Sequence, residues 1–193
     1  MSFQQKVDPS NHSDVTYRIA LLGAESSGKT TLAVELTAAL CEMGYNAGLV
    51  PEFLRTWCEQ NSRLPNFEDQ EVILEGQLAL EDAAATRFDI VVCDPAAITT
   101  GFYSLEYFGS DLHMEWDLLE RYDQLFLCDI DFPWQADPLR ESPVARAQMH
   151  TTIKLYVQEN EGRFTSNIPL LTGSTRERLI FALAQLDLPE ILP

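Results

Sequence analysis

The chain has 193 residues, 46% of them hydrophobic, and carries 30 acidic against 13 basic side chains, for a formal net charge of −17. This length suits one α/β domain, and the excess of negative charge repels a phosphate backbone, which argues against nucleic-acid partners. No apolar run approaches the ~20 residues that cross a bilayer, and the N-terminus has no secretory pattern, so we expect a cytoplasmic protein without membrane association.

The chain predicts strands that alternate with helices. Residues 1–16 are polar and aperiodic and predict a flexible N-terminal arm, whereas residues 17–193 predict a single domain. Short apolar runs predict buried strands, which lie at Tyr17–Leu22, Gly48–Val50, Asp89–Cys93, Leu125–Cys128 and Ile168–Leu171.

Helical spacing of apolar residues fills the intervals between these strands. The predicted helices cover Lys29–Met43, Phe67–Arg87, Thr99–Tyr107, Asp111–Arg121, Val144–Asn160 and Thr175–Leu186. Alternation of this kind predicts βαβ units and an α/β fold, with a mainly parallel sheet of about five strands covered by helices on both faces.

The segment Gly23–Thr30, GAESSGKT, fits the phosphate-binding pattern G-x-x-x-x-G-K-[ST] at every fixed position. It follows a predicted strand and precedes a predicted helix, so backbone N–H groups and the helix N-terminus would surround a phosphate. We expect Lys29 to reach the β- and γ-phosphates of ATP and the Thr30 hydroxyl to bind Mg²⁺. The predicted nucleotide ligands in this loop are Gly23, Glu25, Ser26, Ser27, Gly28, Lys29, Thr30 and Thr31.

Two carboxylates fall at the carboxyl ends of predicted strands, where open parallel sheets bind their ligands. Asp94 suits a residue that positions Mg²⁺, and a helix N-cap is the alternative. Glu52 ends the second strand, with Arg55 three residues later. Either Glu52 or Asp94 could accept the proton of an attacking hydroxyl, and Arg55 could hold the acceptor. An ordinary i,i+3 ion pair explains Glu52 and Arg55 equally well.

The segment Asp131–Arg140, DFPWQADPLR, follows the fourth predicted strand, and Arg146 comes six residues later. Arg140 and Arg146 could close over the phosphates as a lid and exclude water, and the alternative is a solvated loop with surface arginines. A ring as large as Trp134 in such a loop must pack under the lid or face a ligand, so we assign it to substrate binding.

Thr172–Ser174 ends the fifth predicted strand and opens the last predicted helix. Gly173 and Ser174 therefore suit a loop near the nucleotide base. A plain N-cap at Ser174 or Thr175 explains the same residues.

Four segments in this order resemble one family of kinases. They are GAESSGKTTL at Gly23–Leu32, PEFLR at Pro51–Arg55, CDPAAITT at Cys93–Thr100 and DFPWQADPLR at Asp131–Arg140. Together they resemble the ribosylnicotinamide kinase domain of the bacterial multifunctional NAD biosynthesis regulator and related stand-alone P-loop domains, over roughly residues 17–186. In one place the chain departs from the family: Asp94 is followed by Pro95 and Ala96, where the family usually shows a second acid as D-T-D.

The resemblance implies a three-layer fold like that of nucleoside monophosphate kinases, with a lid segment. It also implies transfer of the ATP γ-phosphate to the 5′-hydroxyl of nicotinamide riboside, which gives the mononucleotide. Carried over to this chain, Lys29 and Thr30 bind phosphate and Mg²⁺, and Glu52 and Arg55 face the acceptor. Arg140 and Arg146 belong to the lid.

The leading functional hypothesis is therefore an ATP- and Mg²⁺-dependent kinase for a nucleoside-like alcohol. Two alternatives stay open at this point. One is a regulatory ATPase without a specific acceptor pocket, and the other is a kinase for another nucleoside, nucleotide or metabolite. An arginine cluster around the acceptor would favour a monophosphate substrate.

Overall fold

The computed structural model describes residues 16–110, 117–136, 142–160 and 167–188. Within these ranges five strands form one sheet in the order β2-β3-β1-β4-β5, and every pair of neighbouring strands is parallel. The strands are Tyr17–Leu22 (β1), Ala47–Val50 (β2), Ile90–Cys93 (β3), Gln124–Cys128 (β4) and Leu170–Leu171 (β5). The predicted parallel five-stranded sheet is confirmed.

Seven α-helices lie in the described part of the chain. They are Lys29–Glu42 (α1), Phe53–Asn61 (α2), Gln70–Ala85 (α3), Thr99–Phe108 (α4), Asp117–Glu120 (α5), Pro143–Glu159 (α6) and Thr175–Gln185 (α7), and a short 3₁₀ helix covers Phe67–Asp69. None of them is long and apolar enough to span a bilayer.

The sequence analysis missed α2. This helix has nine residues, buries only Trp57 fully, and begins without a side-chain cap at Glu52, so it lacks both the length and the capping signal that mark a helix start. The helix predicted at 67–87 is instead divided. A capping box between Asn66 and Asp69 caps the N-terminus of the 3₁₀ helix, and α3 begins directly after it, at Gln70. Of the helix predicted at 111–121, residues 111–116 lie outside the described part of the chain.

The core consists of two apolar layers, one on each face of the sheet. Ile19 and Leu21 point to one face and pack with residues of α1 and α7, including Leu36 and Ala182. The alternate residues of the same strand point to the other face, where Phe102 of α4 belongs to the second layer together with residues of α6. Alternate side chains of a strand point to opposite faces, so β1 is buried on both sides and the fold is a three-layer sandwich.

The carboxyl ends of the parallel strands all meet at one edge of the sheet. The backbone N–H of Asp94 donates to Val50 O at 2.9 Å, and that of Ala96 donates to Leu21 O at 3.0 Å. On the other side of β1, the N–H of Asp129 donates to Leu171 O at 2.9 Å. The loops that follow β1 to β5 are thus adjacent in space, which is where ligands of such sheets bind.

A buried carboxylate on α3 is linked through a tyrosine hydroxyl to the loop that follows β3. Glu81 of α3 is fully buried, and its Oε1 accepts a hydrogen bond from the Tyr122 hydroxyl at 2.7 Å. The same hydroxyl accepts a hydrogen bond from the N–H of Ala97 at 2.7 Å, and Arg121 Nε lies 3.6 Å from Glu81 Oε2. Burial raises the pKa of Glu81 to about 7, because the Tyr122 hydrogen bond and the charge of Arg121 offset only part of the desolvation.

This shift in pKa predicts a pH-dependent free energy of unfolding. The unfolded chain releases the Glu81 proton near its ordinary pKa of 4.5, whereas the folded chain keeps it up to about pH 7, so the contribution of Glu81 to stability falls as pH rises between these values. The substitution Glu81→Gln keeps an acceptor for Tyr122 and removes the ionisation. We expect the loss of stability between about pH 5 and about pH 8 to be smaller in Glu81→Gln than in the wild type, as measured by urea unfolding. Exposed Glu75 on the same helix supplies the control Glu75→Gln, which should follow the wild type. Identical pH profiles for the Glu81→Gln variant and the wild type would contradict this account.

Candidate active site

The loop between β1 and α1 has the backbone conformation of a phosphate-binding turn. Gly23, Ser26 and Gly28 have positive φ angles of 143°, 54° and 81°. At Gly28 a Cβ would lie 2.7 Å from Cε2 of Phe132, so both the positive φ angle and this close contact favour glycine at the position. Successive N–H groups in such a turn form a concave surface that attracts anions.

The Lys29 side chain folds back over this loop. Its Nζ donates to the carbonyl oxygens of Gly23 at 2.7 Å and Ala24 at 2.8 Å, and it lies 3.4 Å from Ser27 Oγ. Lys29 is the first residue of α1, and its ammonium group lies against the carbonyl groups of the loop that precedes the helix. Positive charge from the lysine and from the helix N-terminus is concentrated at one point of a strongly acidic protein.

A cavity of about 240 Å³ lies over the loop, and most of the predicted site residues meet there. The predicted residues that line it are Glu25, Ser26, Ser27, Gly28, Lys29, Thr30, Thr31, Glu52, Arg55 and Asp94. Five others, Gly23, Trp134, Arg146, Gly173 and Ser174, are not part of its lining. Arg140 lies outside the described residues.

A second cavity of about 520 Å³ lies beside the first, between α2, α3 and α4. The two cavities share four lining residues, Glu52, Leu54, Pro95 and Tyr103. The larger cavity is mostly apolar, and no Lys or Arg occurs among the described residues that line it. Ala96, at the position where the resembling family has its second acid, is fully buried and forms part of this lining.

Glu52 lies at the junction of the two cavities. Its Oε2 accepts from Arg55 Nε at 3.0 Å, so the i,i+3 ion pair of the alternative interpretation is present, and Glu52 also lines both cavities. Burial raises the pKa of Glu52, and the charge of Asp94 adds to this, while Lys29 and Arg55 oppose it. A carboxylate with a raised pKa is a stronger proton acceptor than an exposed one.

Asp94 is buried, with 4% of its surface exposed, and it lines the smaller cavity. The next helix, α4, begins at Thr99 with Ile98 in the N-cap position, so the N-cap interpretation of Asp94 is wrong. Thr30 lines the same cavity and supplies a hydroxyl oxygen. Two protein oxygens of this kind fit Mg²⁺, which takes few protein ligands and completes its coordination with phosphate oxygens and water.

Arg178 of α7 is the residue that sequence reasoning missed and that most affects the loop. It is fully buried, and Nη1 donates to Ser27 O at 2.6 Å. Nη2 donates to Asp129 O at 3.0 Å and to the Asp131 carboxylate, and Nε donates to Gly173 O at 3.2 Å. One guanidinium therefore joins the phosphate-binding loop to the loops after β4 and β5. Arg178 lies four residues before Ala182, so the two share the buried face of the last helix, and this spacing could have indicated a buried arginine.

The segment that follows β4 lies directly over the phosphate-binding loop. The Phe132 ring is close to Gly28 on one side and lies 4.5 Å from the Arg178 guanidinium on the other. Ser26 Oγ donates to Gln135 O at 3.4 Å and accepts from Gln135 N at 3.3 Å. The start of the predicted lid segment therefore contacts the phosphate-binding loop and helps to line the smaller cavity over it.

Arg146 and Trp134 line neither of the two adjoining cavities. Arg146 lies in the first turn of α6, and its Nη1 donates to Phe132 O at 2.9 Å, so it supports the segment over the loop. Trp134 is half-buried. Ser174 caps α7 through a capping box with Glu177, so the N-cap interpretation of that residue is confirmed.

The fold and the site together define a P-loop domain, with a phosphate-binding loop at the carboxyl edge of a parallel sheet. The chain belongs to the AAA domain family, whose profile matches residues 18–178. No curated protein sequence matches the chain significantly.

Solved structures share this fold at low sequence identity. A crystal structure of the NadR protein in complex with NR superposes with a TM-score of 0.67 at 16% identity, over 92% of this chain and 52% of that one. NadR in complex with NAD and AMP-PNP gives a TM-score of 0.60 at 17% identity, over 91% and 52%. Thymidylate kinase from Ehrlichia chaffeensis gives 0.63 at 15% identity, over 88% and 97%. The chain thus spans about half the length of the NadR chains, and the predicted P-loop kinase fold is confirmed.

We expect the substitution Arg178→Met to destabilise the domain and to weaken nucleotide binding. It removes the donors for three backbone carbonyl groups and for Asp131, and the loss of a buried charged hydrogen-bonding group of this kind costs at least about 3 kcal/mol in the free energy of unfolding. Urea unfolding and calorimetry with magnesium AMP-PNP measure the two effects.

Arg176 is exposed on the same helix and provides the matched control. The substitution Arg176→Met should change the free energy of unfolding by less than about 0.5 kcal/mol. Equal stability of the two variants would refute the role assigned to Arg178.

Proposed function

We propose that this protein is a cytoplasmic kinase that uses ATP and Mg²⁺ to phosphorylate the 5′-hydroxyl of nicotinamide riboside, which gives the mononucleotide. The observation that carries the proposal is the pair of adjoining cavities with Glu52 at their junction. The smaller cavity has the chemistry of a triphosphate site, and the larger has the chemistry of a site for an uncharged or cationic aromatic molecule.

The lining of the larger cavity supports this choice of acceptor. Tyr103, Tyr107 and Phe108 provide aromatic rings that can pack against a heterocycle, and aromatic faces attract cations. Glu52 provides the carboxylate, and no basic side chain opposes it among the described lining residues. The pyridinium ring of nicotinamide riboside is cationic and planar, so it matches both properties. NadR, which shares the fold, has been crystallised with NR.

The chemical step is an in-line transfer. The acceptor hydroxyl oxygen attacks the γ-phosphorus, the bond between that phosphorus and the β–γ bridging oxygen breaks, and ADP leaves. In our proposal Glu52 takes the hydroxyl proton, because it faces both the acceptor and the phosphate cavity, whereas Asp94 lines only the latter. Lys29 and the loop amides bind the phosphates and stabilise the charge that develops on their oxygens.

Thr30 and Asp94 are the residues that would hold Mg²⁺. The ion would neutralise phosphate charge and orient the β- and γ-phosphates when it is bound. Residues 131–136 would help to exclude water from the reacting phosphate, since Phe132 and Gln135 contact the loop. Arg146 supports them through its hydrogen bond to Phe132 O. Arg55 would hold Glu52 in place through their ion pair.

Each of the two alternatives has a specific observation against it. A regulatory ATPase needs no acceptor pocket, yet the phosphate cavity adjoins one of about 520 Å³. A nucleotide kinase must bind the phosphate of its acceptor, and the described lining of the larger cavity has no arginine or lysine. Both alternatives are tested by the assay below.

The first test is product formation from labelled ATP with a panel of acceptors: nicotinamide riboside, uridine, thymidine and thymidine monophosphate. We expect one phosphorylated product, from nicotinamide riboside. Release of inorganic phosphate alone would support the ATPase, and phosphorylation of thymidine monophosphate would support the nucleotide kinase.

In the same assay, the substitution Lys29→Ala should lower turnover by at least about 100-fold, since it removes the side-chain charge that contacts the transferring phosphate. The exposed Lys154 of α6 gives the control Lys154→Ala, which should retain wild-type turnover. A Lys29→Ala variant with wild-type turnover would refute the site.

The second test concerns the proton acceptor. Because the pKa of Glu52 is raised above its ordinary value of 4.5, the enzyme should lose activity on the acid side at a higher pH than an exposed carboxylate would cause. The rate should rise with pH through this pKa, as the carboxylate form becomes populated. The substitution Glu52→Gln should lower kcat by about 100-fold or more and abolish this acid limb, as measured by kcat against pH. If the limb persists in Glu52→Gln, Asp94 becomes the candidate base.

A further inference from the structure

Gln77 of α3 connects the two loops that carry the acidic residues of the site. Its side chain is 3% exposed and lines the larger cavity. Oε1 accepts from the backbone N–H of Phe53 at 2.9 Å, and Nε2 donates to the backbone carbonyl of Pro95 at 3.4 Å. Phe53 directly follows Glu52, and Pro95 directly follows Asp94, so one amide group contacts the neighbours of both carboxylates.

The first of these hydrogen bonds supplies a missing helix cap. The N–H groups in the first turn of a helix have no partner within the helix, and Glu52 makes no side-chain cap at the start of α2. Gln77 fills this role from a different helix. Gly76 allows the two helices to approach closely enough, because a Cβ at that position would lie 2.1 Å from Cε1 of Phe53.

The second hydrogen bond fixes the turn after β3. Pro95 lines both cavities, and Asp94 immediately before it lines the phosphate cavity. The amide of Gln77 offers an acceptor and two donors on separate atoms, so it can bond both backbone groups at once. A methionine would fill the same space and leave the Phe53 N–H and the Pro95 carbonyl without their partner, whereas a glutamate would keep the acceptor and lose the donor.

We propose that Gln77 is a positioning residue that sets the distance between Glu52, on the acceptor side, and Asp94, on the phosphate side. The proposal rests on the kinase function proposed above. Gln77 binds neither phosphate nor metal, and it acts through the two backbone segments that it joins. A change at Gln77 should therefore affect the chemical step much more than the affinity for the nucleotide.

The test compares wild type with Gln77→Met and Gln77→Glu. We expect kcat to fall by about tenfold or more in Gln77→Met, since small displacements of reacting groups have effects of this size. The Kd for magnesium AMP-PNP should stay within about twofold of the wild-type value. Hydrogen exchange of the Phe53 amide, followed by NMR, should be faster in Gln77→Met and close to wild type in Gln77→Glu, while both variants have lowered kcat.

The matched control is Gln124→Met. Gln124 is also buried, and its Nε2 also makes two hydrogen bonds, to Leu125 O at 2.7 Å and Asn167 O at 3.1 Å, but it lines neither of the two adjoining cavities. Gln124→Met should keep kcat within about twofold of wild type. This control separates a general loss of buried hydrogen bonds from a loss of positioning.

Two results would overturn the proposal: a folded Gln77→Met with kcat within about twofold of wild type, or unchanged exchange at Phe53. If Gln77→Met does not fold, kcat is measured in Gln77→Glu instead, and a value within about twofold of wild type would overturn the proposal in the same way. Failure of the proposed function is recognised separately, because wild type would then form no phosphorylated riboside, while the exchange of the Phe53 amide would still report on the link itself.

Discussion

The site depends on a buried cation that never needs to touch the ligand. In a chain of net charge −17, the guanidinium of Arg178 is fully buried and donates to the phosphate-binding loop and to the loops after β4 and β5. The hydrogen bond to Ser27 O is buried, and loss of the donor for a buried carbonyl group is costly. The positive charge of the arginine also lies next to the phosphate-binding loop, where it would favour a bound polyphosphate. In the proposed function, stability and anion binding would therefore depend on the same group.

The order of the strands determines what surrounds that loop. Because β1 lies between β3 and β4, the phosphate-binding loop has Asp94 on one side and the Asp131 segment on the other. Glu52 follows β2, one strand further out, and it also lines the larger cavity. In the proposed function, the smaller cavity would hold the phosphates and the larger one the acceptor. The Gln77 side chain joins the loops that border both, through hydrogen bonds to the backbone of Phe53 and Pro95.

The parts of the site that the sequence predicted are those that depend on local pattern. The loop 23–31, Asp94 and Glu52 with Arg55 follow short strands, and the carboxyl ends of parallel strands share one edge. Arg178, Gln77 and Tyr103 were missed because each is an ordinary helical residue whose partners are distant in sequence. Ser27, for instance, lies 151 positions from Arg178. Trp134 was assigned to substrate binding from its size, and it lines neither of the two adjoining cavities, so that assignment stays a prediction.

The sequence by itself determined the alternation of strands and helices, the parallel sheet and the phosphate-binding loop, since periodicity, glycine positions and motif spacing act over a few residues. The tertiary structure alone decided the existence of α2, the two adjoining cavities and the buried network around Arg178. The short helix α2 has weak local signals and is held against α3 by contacts such as the Phe53–Gln77 hydrogen bond. Cavities and buried hydrogen bonds arise where separate elements meet, and their geometry exists only once the chain has folded.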